Sequence, residues 1–147
     1  DLAAAYESMP DDLRAAAEGQ RVVYSVLADT VSKKSKITAE QRAATPDVLQ
    51  PLIRTHPYLG HKALYASPNH YVRIDGMSQV DGDALFKRLA DWIARDDFVY
   101  AHNWQVGDVV LWDNASVAHR RDAFPPTQRR FLKRTGFHLP EELSAPF

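Results

Sequence analysis

The sequence contains no cysteine among its 147 residues. This absence excludes disulfides, thiolate metal sites, iron–sulfur clusters and a cysteine nucleophile, and it favours a cytoplasmic location. The formal net charge is only −1, so a nucleic-acid binder driven by bulk charge is not expected, and any anion site must come from local arginine or lysine side chains. No apolar run approaches the roughly 20 residues of a membrane span, and the N-terminus lacks the basic and apolar regions of a signal peptide.

Several catalytic motifs are also absent: GxSxG, GxGxxG, the P-loop and HExxH. Without cysteine, a metal ion would have to be held by His, Asp or Glu, and two histidines with one carboxylate form the facial triad of non-haem Fe(II) enzymes. No histidine is followed two positions later by Asp or Glu, because the residues at those places are Tyr58, Ala63, Val72, Trp104, Arg121 and Pro140. The sequence therefore supplies at most one obvious ligand of such a site.

What is present is a chain long enough for one domain with a core, with an ordinary hydrophobic content of 45%. Its patterns predict helices over 1–9 and 10–18, a short helix over 39–44 with Thr38 and Gln41 as a capping box, and a long amphipathic helix that begins after Ser78. Short runs of alternating or β-branched residues predict strands at 21–27, 51–56, 62–66, 71–74, 98–104, 108–112, 116–119 and 129–135. Short strands with a few helices favour a β-sandwich or barrel with helices on its outside.

The stretch from 107 to 135 carries the residues best suited to chemistry. His119 could be a metal ligand, and Arg130 and Arg134 would lie on one face of a strand because side chains alternate along it. Arginine can hold a carboxylate through two parallel hydrogen bonds, so the pair suits a cavity for anionic small molecules. The alternative is that these arginines lie on the solvated face of an edge strand, and the residues alone do not separate the two interpretations.

The remaining histidines are weaker candidates. His56 and His61 flank a PYLG turn and His138 lies near the C-terminus, so all three are interpreted as surface or turn residues. His102 alternates with Tyr100 and Trp104 and could belong to a core or support a site residue from behind. His70 follows a break and precedes a strand, so it could line the edge of a cavity.

These motifs together resemble a known family. The WDN of residues 112–114 and His119, followed 11 residues later by Arg130 and 15 residues later by Arg134, resemble the C-terminal motif of Fe(II)/2-oxoglutarate-dependent dioxygenases of the TauD/TfdA family. That family includes taurine dioxygenase and 2,4-dichlorophenoxyacetate dioxygenase. Further likenesses in the same order are the helical segment 1–19, the RTHP and KALY hairpin of residues 54–65, and the run from 98 to 108.

The resemblance implies a double-stranded β-helix, or jelly roll, that holds Fe(II) and the co-substrate 2-oxoglutarate. His119 would be the distal metal ligand, and Trp112 would pack beside the iron. Arg130 would bind the far carboxylate of 2-oxoglutarate, and Arg134 the anionic head of a small organic substrate. His70 falls where relatives place a substrate-pocket residue, and the loop over 28–44 would be a lid.

The chain departs from the family pattern in lacking the His-x-Asp pair that supplies the other two iron ligands. It also opens in helical sequence without a start methionine. We therefore expect residues 1–147 to be a single jelly-roll domain without the N-terminal part that carries this pair, inactive alone. The implied reaction consumes O2 and 2-oxoglutarate and hydroxylates an anionic carboxylate or sulfonate, with an aryloxyalkanoate slightly favoured because of His70. Succinate and carbon dioxide are released. The alternative is a catalytically incomplete homologue that binds small anions or proteins, and the oligomeric state is left open.

Overall fold

The computed structural model describes residues 1–26, 28 and 38–137. The helices are α1 (Leu2–Glu7), α2 (Asp11–Ala17), α3 (Ala39–Ala44) and α4 (Gln79–Ile93), with a 3-10 turn at Asp96–Phe98. The strands are β1 (Arg21–Tyr24), β2 (Val48–Pro51), β3 (Ile53–Thr55), β4 (Lys62–Leu64) and β5 (Tyr71–Ile74). These elements occupy the first two thirds of the chain.

Polar side chains at the first turns and a glycine after α2 favour the observed ends of the two N-terminal helices. Asp1 caps α1, because its Oδ1 accepts hydrogen bonds of 3.0 Å from the backbone N–H groups of Ala3 and Ala4. Two acidic residues in the first turn of α2 lie where the helix dipole favours negative charge. Gly19 follows α2 with a φ of +73°, a left-handed conformation that suits glycine, and lets the chain turn into β1.

The strands form two separate antiparallel sheets. β1 is the central strand of a three-stranded sheet in the order β2, β1, β5, and its register with β5 shifts between Val23 and Tyr24. β3 and β4 form a hairpin in which Arg54 lies opposite Ala63. Leu52 connects the two sheets: it is fully buried, its N–H donates to Gln20 O over 2.9 Å, and its C=O accepts from Tyr65 N over 2.7 Å.

The core lies between these sheets and the helices. α4 presents Leu85, Phe86 and Leu89 to it, and the N–H of Asp81 donates to the Ser78 side chain over 3.2 Å to cap the helix. α1 packs against β4, and α4 packs against β5. The remaining buried members of the core are Met9, Leu13, Ala17, Val22, Leu52, Leu64, Ala66 and Ile74. Burial of apolar area at about 25 cal/mol per Å² makes this cluster the main stabilising element of the described fold.

Most sequence predictions for this part are confirmed. The helices predicted over 1–9 and 10–18 are α1 and α2, and the helix predicted after Ser78 is α4. The capping box at α3 is present, with Thr38 N donating to Gln41 Oε1 over 3.0 Å and Gln41 N donating to Thr38 Oγ1 over 3.2 Å. The strand predicted over 51–56 is divided between β2 and β3, because the chain changes sheets at Leu52. β structure with flanking helices is thus observed, although the helices contain more residues than the strands.

The strands predicted over 98–104, 108–112, 116–119 and 129–135 were wrong for this structure. Residue 98 ends the 3-10 turn, and residues 99–137 contain turns but no strand. The physical reason is pairing: within the described residues, no backbone ladder joins these segments to another strand. Apolar side chains of these segments are also exposed to solvent, Val109 at 92% and Leu111 at 85%. Arg130 and Arg134 therefore do not share a strand face.

Two further predictions fall largely outside the described residues. The proposed lid over 28–44 includes 29–37, with its three lysines, and His138 lies beyond residue 137. Among the residues that are described, no helix is long and apolar enough to cross a membrane.

Candidate functional site

The WDN turn at residues 112–114 begins the candidate site. The indole Nε1–H of Trp112 donates to Asn114 Oδ1 over 3.0 Å, and Asp113 Oδ1 accepts from Ala115 N over 2.8 Å. The second contact is the Asx-turn expected of an aspartate that bonds the backbone two residues later. Trp112, which the family resemblance would place beside the iron, thus lies in a turn that side-chain hydrogen bonds close.

Three of the candidate residues meet beside this turn. The rings of Trp112 and His119 lie with centroids 5.0 Å apart, and the guanidinium carbon of Arg134 lies 5.2 Å from the centre of the Trp112 ring. Arg134 Nη1 also lies 3.2 Å from His119 Nε2. Trp112 is half-buried, whereas His119 and Arg134 are exposed. The structure therefore brings together a histidine and an arginine that are 15 residues apart, on one indole ring.

Arg130 lies elsewhere in the same segment. Its guanidinium carbon is 5.5 Å from the centre of the Phe124 ring, and its side chain is exposed. Within residues 1–26, 28 and 38–137, no hydrogen bond or ion pair joins Arg130 to Trp112, His119 or Arg134. A guanidinium on an aromatic face gains a modest cation–π attraction and keeps its hydrogen-bond donors available. Arg130 therefore offers its donor fork from an aromatic face, apart from the Trp112 cluster.

His70 immediately precedes β5 and lies beside Ser25, the residue that follows β1. Its φ is +68°, an uncommon conformation for a residue with a side chain. Its backbone C=O accepts from Ser25 N over 2.8 Å, and its Nδ1 lies 3.2 Å from Ser25 O. Because a carbonyl only accepts, Nδ1 carries the proton and Nε2 is left as an acceptor. The half-buried ring has a fixed tautomer, as a binding residue would need, but in the described part of the chain it does not contact the Trp112 cluster.

His56 contacts the WDN turn, which the sequence analysis did not predict. His56 is buried at 5% exposure, rather than an exposed turn residue, and its Nε2 lies 2.7 Å from Asp113 Oδ2. Its neighbour across the turn, His61, lies 3.0 Å from Ser116 Oγ through Nε2. The backbone C=O of Ser116 also accepts from Leu2 N over 2.9 Å. The WDN turn thus docks on the β3–β4 hairpin and on the start of α1.

This contact affects the charge on the turn. The backbone N–H of Ala115 and then the His56 imidazole hold the pKa of Asp113 below its usual value, because both donate to the carboxylate. The only sequence signal for the contact was that both residues belong to the quoted family motifs. Nothing in their spacing of 57 residues indicates that they meet.

A second histidine–carboxylate contact closes the turn before the WDN motif. His102 Nε2 lies 2.9 Å from Asp108 Oδ2, and Tyr100 Oη lies 3.1 Å from His102 Nδ1. The N–H of Gln105 also donates to Asp108 over 2.9 Å, and this bond and the histidine hold the pKa of Asp108 below its usual value. His102 is partly buried and packs edge-on against Trp104. The expectation of a structural histidine fits these contacts.

The donors near the WDN turn do not complete a metal site. In the portion of the chain that the structure describes, no group of three His, Asp or Glu side chains could hold a metal ion. His119 is a single nitrogen donor, and Asp113 has both oxygens engaged by Ala115 N and His56. A catalytic metal site usually has three protein ligands. Further ligands would therefore be needed beside His119.

His119, Arg130 and Arg134 keep the 11- and 15-residue spacings noted in the sequence, and comparison with known protein families extends this likeness to most of the chain. The family model described as "Taurine catabolism dioxygenase TauD, TfdA family" matches residues 1–135. The chain belongs to the TauD/TfdA family.

Named relatives agree with this membership. The chain is 36% identical over 135 residues to an alpha-ketoglutarate-dependent 2,4-dichlorophenoxyacetate dioxygenase from Burkholderia sp. (strain RASC), covering 91% of this chain and 45% of that protein. It is 33% identical over 143 residues to an alpha-ketoglutarate-dependent sulfate ester dioxygenase from Pseudomonas putida, covering 91% and 47%. The crystal structure of AAD-2 in complex with Mn(II) and N-oxalylglycine is similar with a TM-score of 0.62 and 33% identity, covering 71% of this chain and 42% of that one. The chain spans about half the length of the curated relatives it matches.

Proposed function

We propose that this chain is part of an Fe(II)- and 2-oxoglutarate-dependent dioxygenase that acts on a small anionic organic substrate. The observation that carries the proposal is that His119 and Arg134 both lie against the Trp112 ring, in a chain that belongs to the TauD/TfdA family. The relatives named as alpha-ketoglutarate-dependent dioxygenases support the same reaction class. In the reaction, substrate, O2 and 2-oxoglutarate become hydroxylated substrate, succinate and carbon dioxide.

Each residue has a role that its chemistry suits. His119 supplies one imidazole ligand and Trp112 packs beside it. Arg134 binds the anionic head of the substrate, and Arg130 binds the far carboxylate of 2-oxoglutarate, because a planar guanidinium can hold a carboxylate through two parallel hydrogen bonds. His70 lines the substrate pocket. When bound, the metal supplies the oxidation, while these side chains bind and orient the two anions.

The proposal includes residues outside this chain. Two further ligands, a histidine and a carboxylate, come from outside residues 1–147, and the segments over 99–135 pair with strands there to complete a jelly roll. The lack of a three-ligand group among the described residues, the absence of strand pairing in residues 99–135 and the half-length match to relatives support this part. On this view residues 1–147 are one part of a single catalytic domain and have no activity alone.

The substrate class follows from the relatives and from the arginine. Arg134 favours a carboxylate or a sulfonate, and His70 leads us to favour an aryloxyalkanoate within that class. The named activities of relatives cover both a phenoxyacetate and sulfate esters. We propose no nucleic-acid or membrane partner. A cytoplasmic location, proposed from the absence of cysteine, is tested by cell fractionation.

The alternative is a non-catalytic homologue that binds small anions or proteins. The lack of a three-ligand group among the described residues is also what such a homologue would show. The two functions differ in what the protein at its full natural length should do. Only the dioxygenase should release succinate from 2-oxoglutarate in a manner that depends on Fe(II), O2 and a second substrate.

The experiment measures succinate formation by the purified protein at its full natural length. The panel contains phenoxyalkanoates, alkyl sulfates and taurine, each with Fe(II), 2-oxoglutarate and O2. Succinate release that is stimulated by one class of these substrates supports the dioxygenase, and a matched reaction without O2 gives the background. Anion binding without succinate release under any of these conditions supports the alternative instead.

A further inference from the structure

We propose that His56 and Asp113 are positioning residues that fix the WDN turn and, through it, the Trp112 ring that His119 and Arg134 contact. The inference rests on the proposed function for the roles of His119 and Arg134. It assigns a role to a hydrogen bond that joins the β3–β4 hairpin to the site across 57 residues of sequence. Neither residue is placed in direct contact with a substrate.

The polarity of this bond is determined by the backbone. His56 Nδ1 accepts hydrogen bonds from the N–H groups of Tyr58 and Leu59, at 3.2 and 3.1 Å. A neutral imidazole has one donor and one acceptor nitrogen, so Nε2 carries the proton and donates it to Asp113 Oδ2 over 2.7 Å. The hairpin turn therefore presents a donor in one direction, and only an acceptor at residue 113 can meet it.

The two sides of the bond differ in burial. The His56 side chain is only 4% exposed, whereas the Asp113 side chain is 57% exposed. The imidazole is held further by the ring of His61, whose centroid is 4.9 Å away. A buried ring fixed by its neighbours is a rigid support, and an exposed aspartate is the group that this support orders.

The ordered turn leads directly to the candidate site. Asp113 follows Trp112 in the chain, and its second oxygen, Oδ1, accepts from Ala115 N over 2.8 Å. Both carboxylate oxygens of Asp113 thus accept a hydrogen bond, which restrains the backbone on the C-terminal side of Trp112. The Trp112 ring in turn lies 5.0 Å from the His119 ring and 5.2 Å from the Arg134 guanidinium carbon, between centres. Loss of the His56 bond should move this ring.

The competing explanation is that the bond only adds stability where the turn meets the hairpin. A neighbouring contact provides the control, because His61 and Ser116 cross the same boundary at 3.0 Å. Ser116 is four residues after Trp112, whereas Asp113 is adjacent to it, and the Ser116 hydroxyl contacts His61 of the hairpin. Ser116→Ala should therefore cost stability without moving the Trp112 cluster.

The variants use the polarity of the bond. Asp113→Asn keeps an oxygen for Ala115 N but turns an amide N–H toward the N–H of His56, so two donors meet. His56→Gln introduces an amide, which can donate or accept. In the single variant its N–H can donate to the native Asp113 carboxylate. In the double variant with Asp113→Asn the amide can flip, so that its oxygen accepts from the new amide N–H. The Asp113→Asn change should therefore be damaging with His56 present and much less damaging with a glutamine at that position. A double-mutant cycle measures this coupling.

The measurements use the protein at its full natural length, labelled with ¹⁵N at histidine and at the tryptophan indole. We expect His56 to have its proton on Nε2. We expect Asp113→Asn to shift the Trp112 indole and His119 imidazole signals, and to lower kcat/KM about 10- to 100-fold, the range for hydrogen-bond partners that orient active-site ligands. Ser116→Ala should leave both signals in place, and His56→Gln should remove most of the loss caused by Asp113→Asn.

Two results would overturn the inference. One is a His56 with its proton on Nδ1. The other is equal displacement of the Trp112 signal by Asp113→Asn and Ser116→Ala, which would mean that the bond contributes stability alone. Failure of the proposed function looks different: the unchanged protein would then form no succinate, while the two NMR signals would still decide whether the bond positions Trp112.

Discussion

Arg134 donates a hydrogen bond to Nε2 of His119 over 3.2 Å. The direction is certain from chemistry, because a guanidinium has donors and no acceptor, so Nε2 must be the unprotonated nitrogen. That nitrogen has a single lone pair. It therefore cannot accept from Arg134 and ligate a metal ion at the same time. The proposed roles therefore require this hydrogen bond to break. His119 Nε2 would then be available to the metal ion, and the Arg134 guanidinium to the anionic substrate.

Replacement of Arg134 should affect the organic substrate and leave the co-substrate alone. We expect Arg134→Gln to raise the substrate KM on the order of 10- to 100-fold, since a hydrogen bond to a charged group contributes about 1.5–3 kcal/mol. The affinity for 2-oxoglutarate should stay the same. Steady-state kinetics with each compound varied in turn measures both values. Arg129→Gln, in the same segment, is the matched control, and an equal loss for both compounds would contradict the assignment.

Replacement of Arg130 should have the opposite selectivity. Arg130→Ala removes the planar donor fork proposed for the far carboxylate of 2-oxoglutarate, so the Kd for 2-oxoglutarate should rise at least about tenfold. Arg130→Lys keeps the charge but not the fork, and should recover only part of the affinity. Calorimetric titration of 2-oxoglutarate into the protein measures the change. An unchanged Kd for Arg130→Ala would contradict the role proposed for Arg130.

The lowered pKa of Asp113 predicts a pH dependence of stability. A carboxyl whose pKa is lower in the folded protein stabilises the fold above its ordinary value near 3.8, and this contribution is lost as the pH falls through the lowered value. Asp113→Asn should therefore reduce the free energy of unfolding more at about pH 6 than at about pH 3. The difference should be small, because the side chain is 57% exposed and solvent screens it. Urea unfolding at both pH values measures it, and a larger difference at the lower pH would contradict the sign.

Two glycines at the junction of β5 and α4 should respond in opposite ways to alanine. A Cβ at Gly82, inside α4, would lie 3.5 Å from Ile74 Cβ, an ordinary contact, so Gly82→Ala should stabilise the protein by about 0.5–1 kcal/mol through helix propensity. Gly76 has a φ of +77°, and Gly76→Ala should destabilise it by about 1–2 kcal/mol, although no described atom lies within 4 Å of the added Cβ. Denaturant unfolding of the pair checks both signs, and a destabilised Gly82→Ala protein would show that the packing at Ile74 is too tight.

Local patterns were sufficient for the helices. Ser78 and the apolar stripe of α4, and the capping box of α3, depend on interactions between residues three or four positions apart, which the sequence displays directly. The strand predictions succeeded at β4 and β5 and did not hold beyond residue 98. Alternation shows that a segment can form a strand, but a strand exists only where another backbone pairs with it.

The same distinction applies to the site. The sequence by itself determined the family, the WDN turn and the spacings that place Arg130 and Arg134 after His119, because these are properties of order along the chain. Only the tertiary structure decided that Arg134 and His119 share the Trp112 ring, that Arg130 lies on Phe124, and that a buried His56 holds Asp113. Contacts between residues 15 or 57 positions apart depend on how the turns fold back, and no local propensity encodes that geometry.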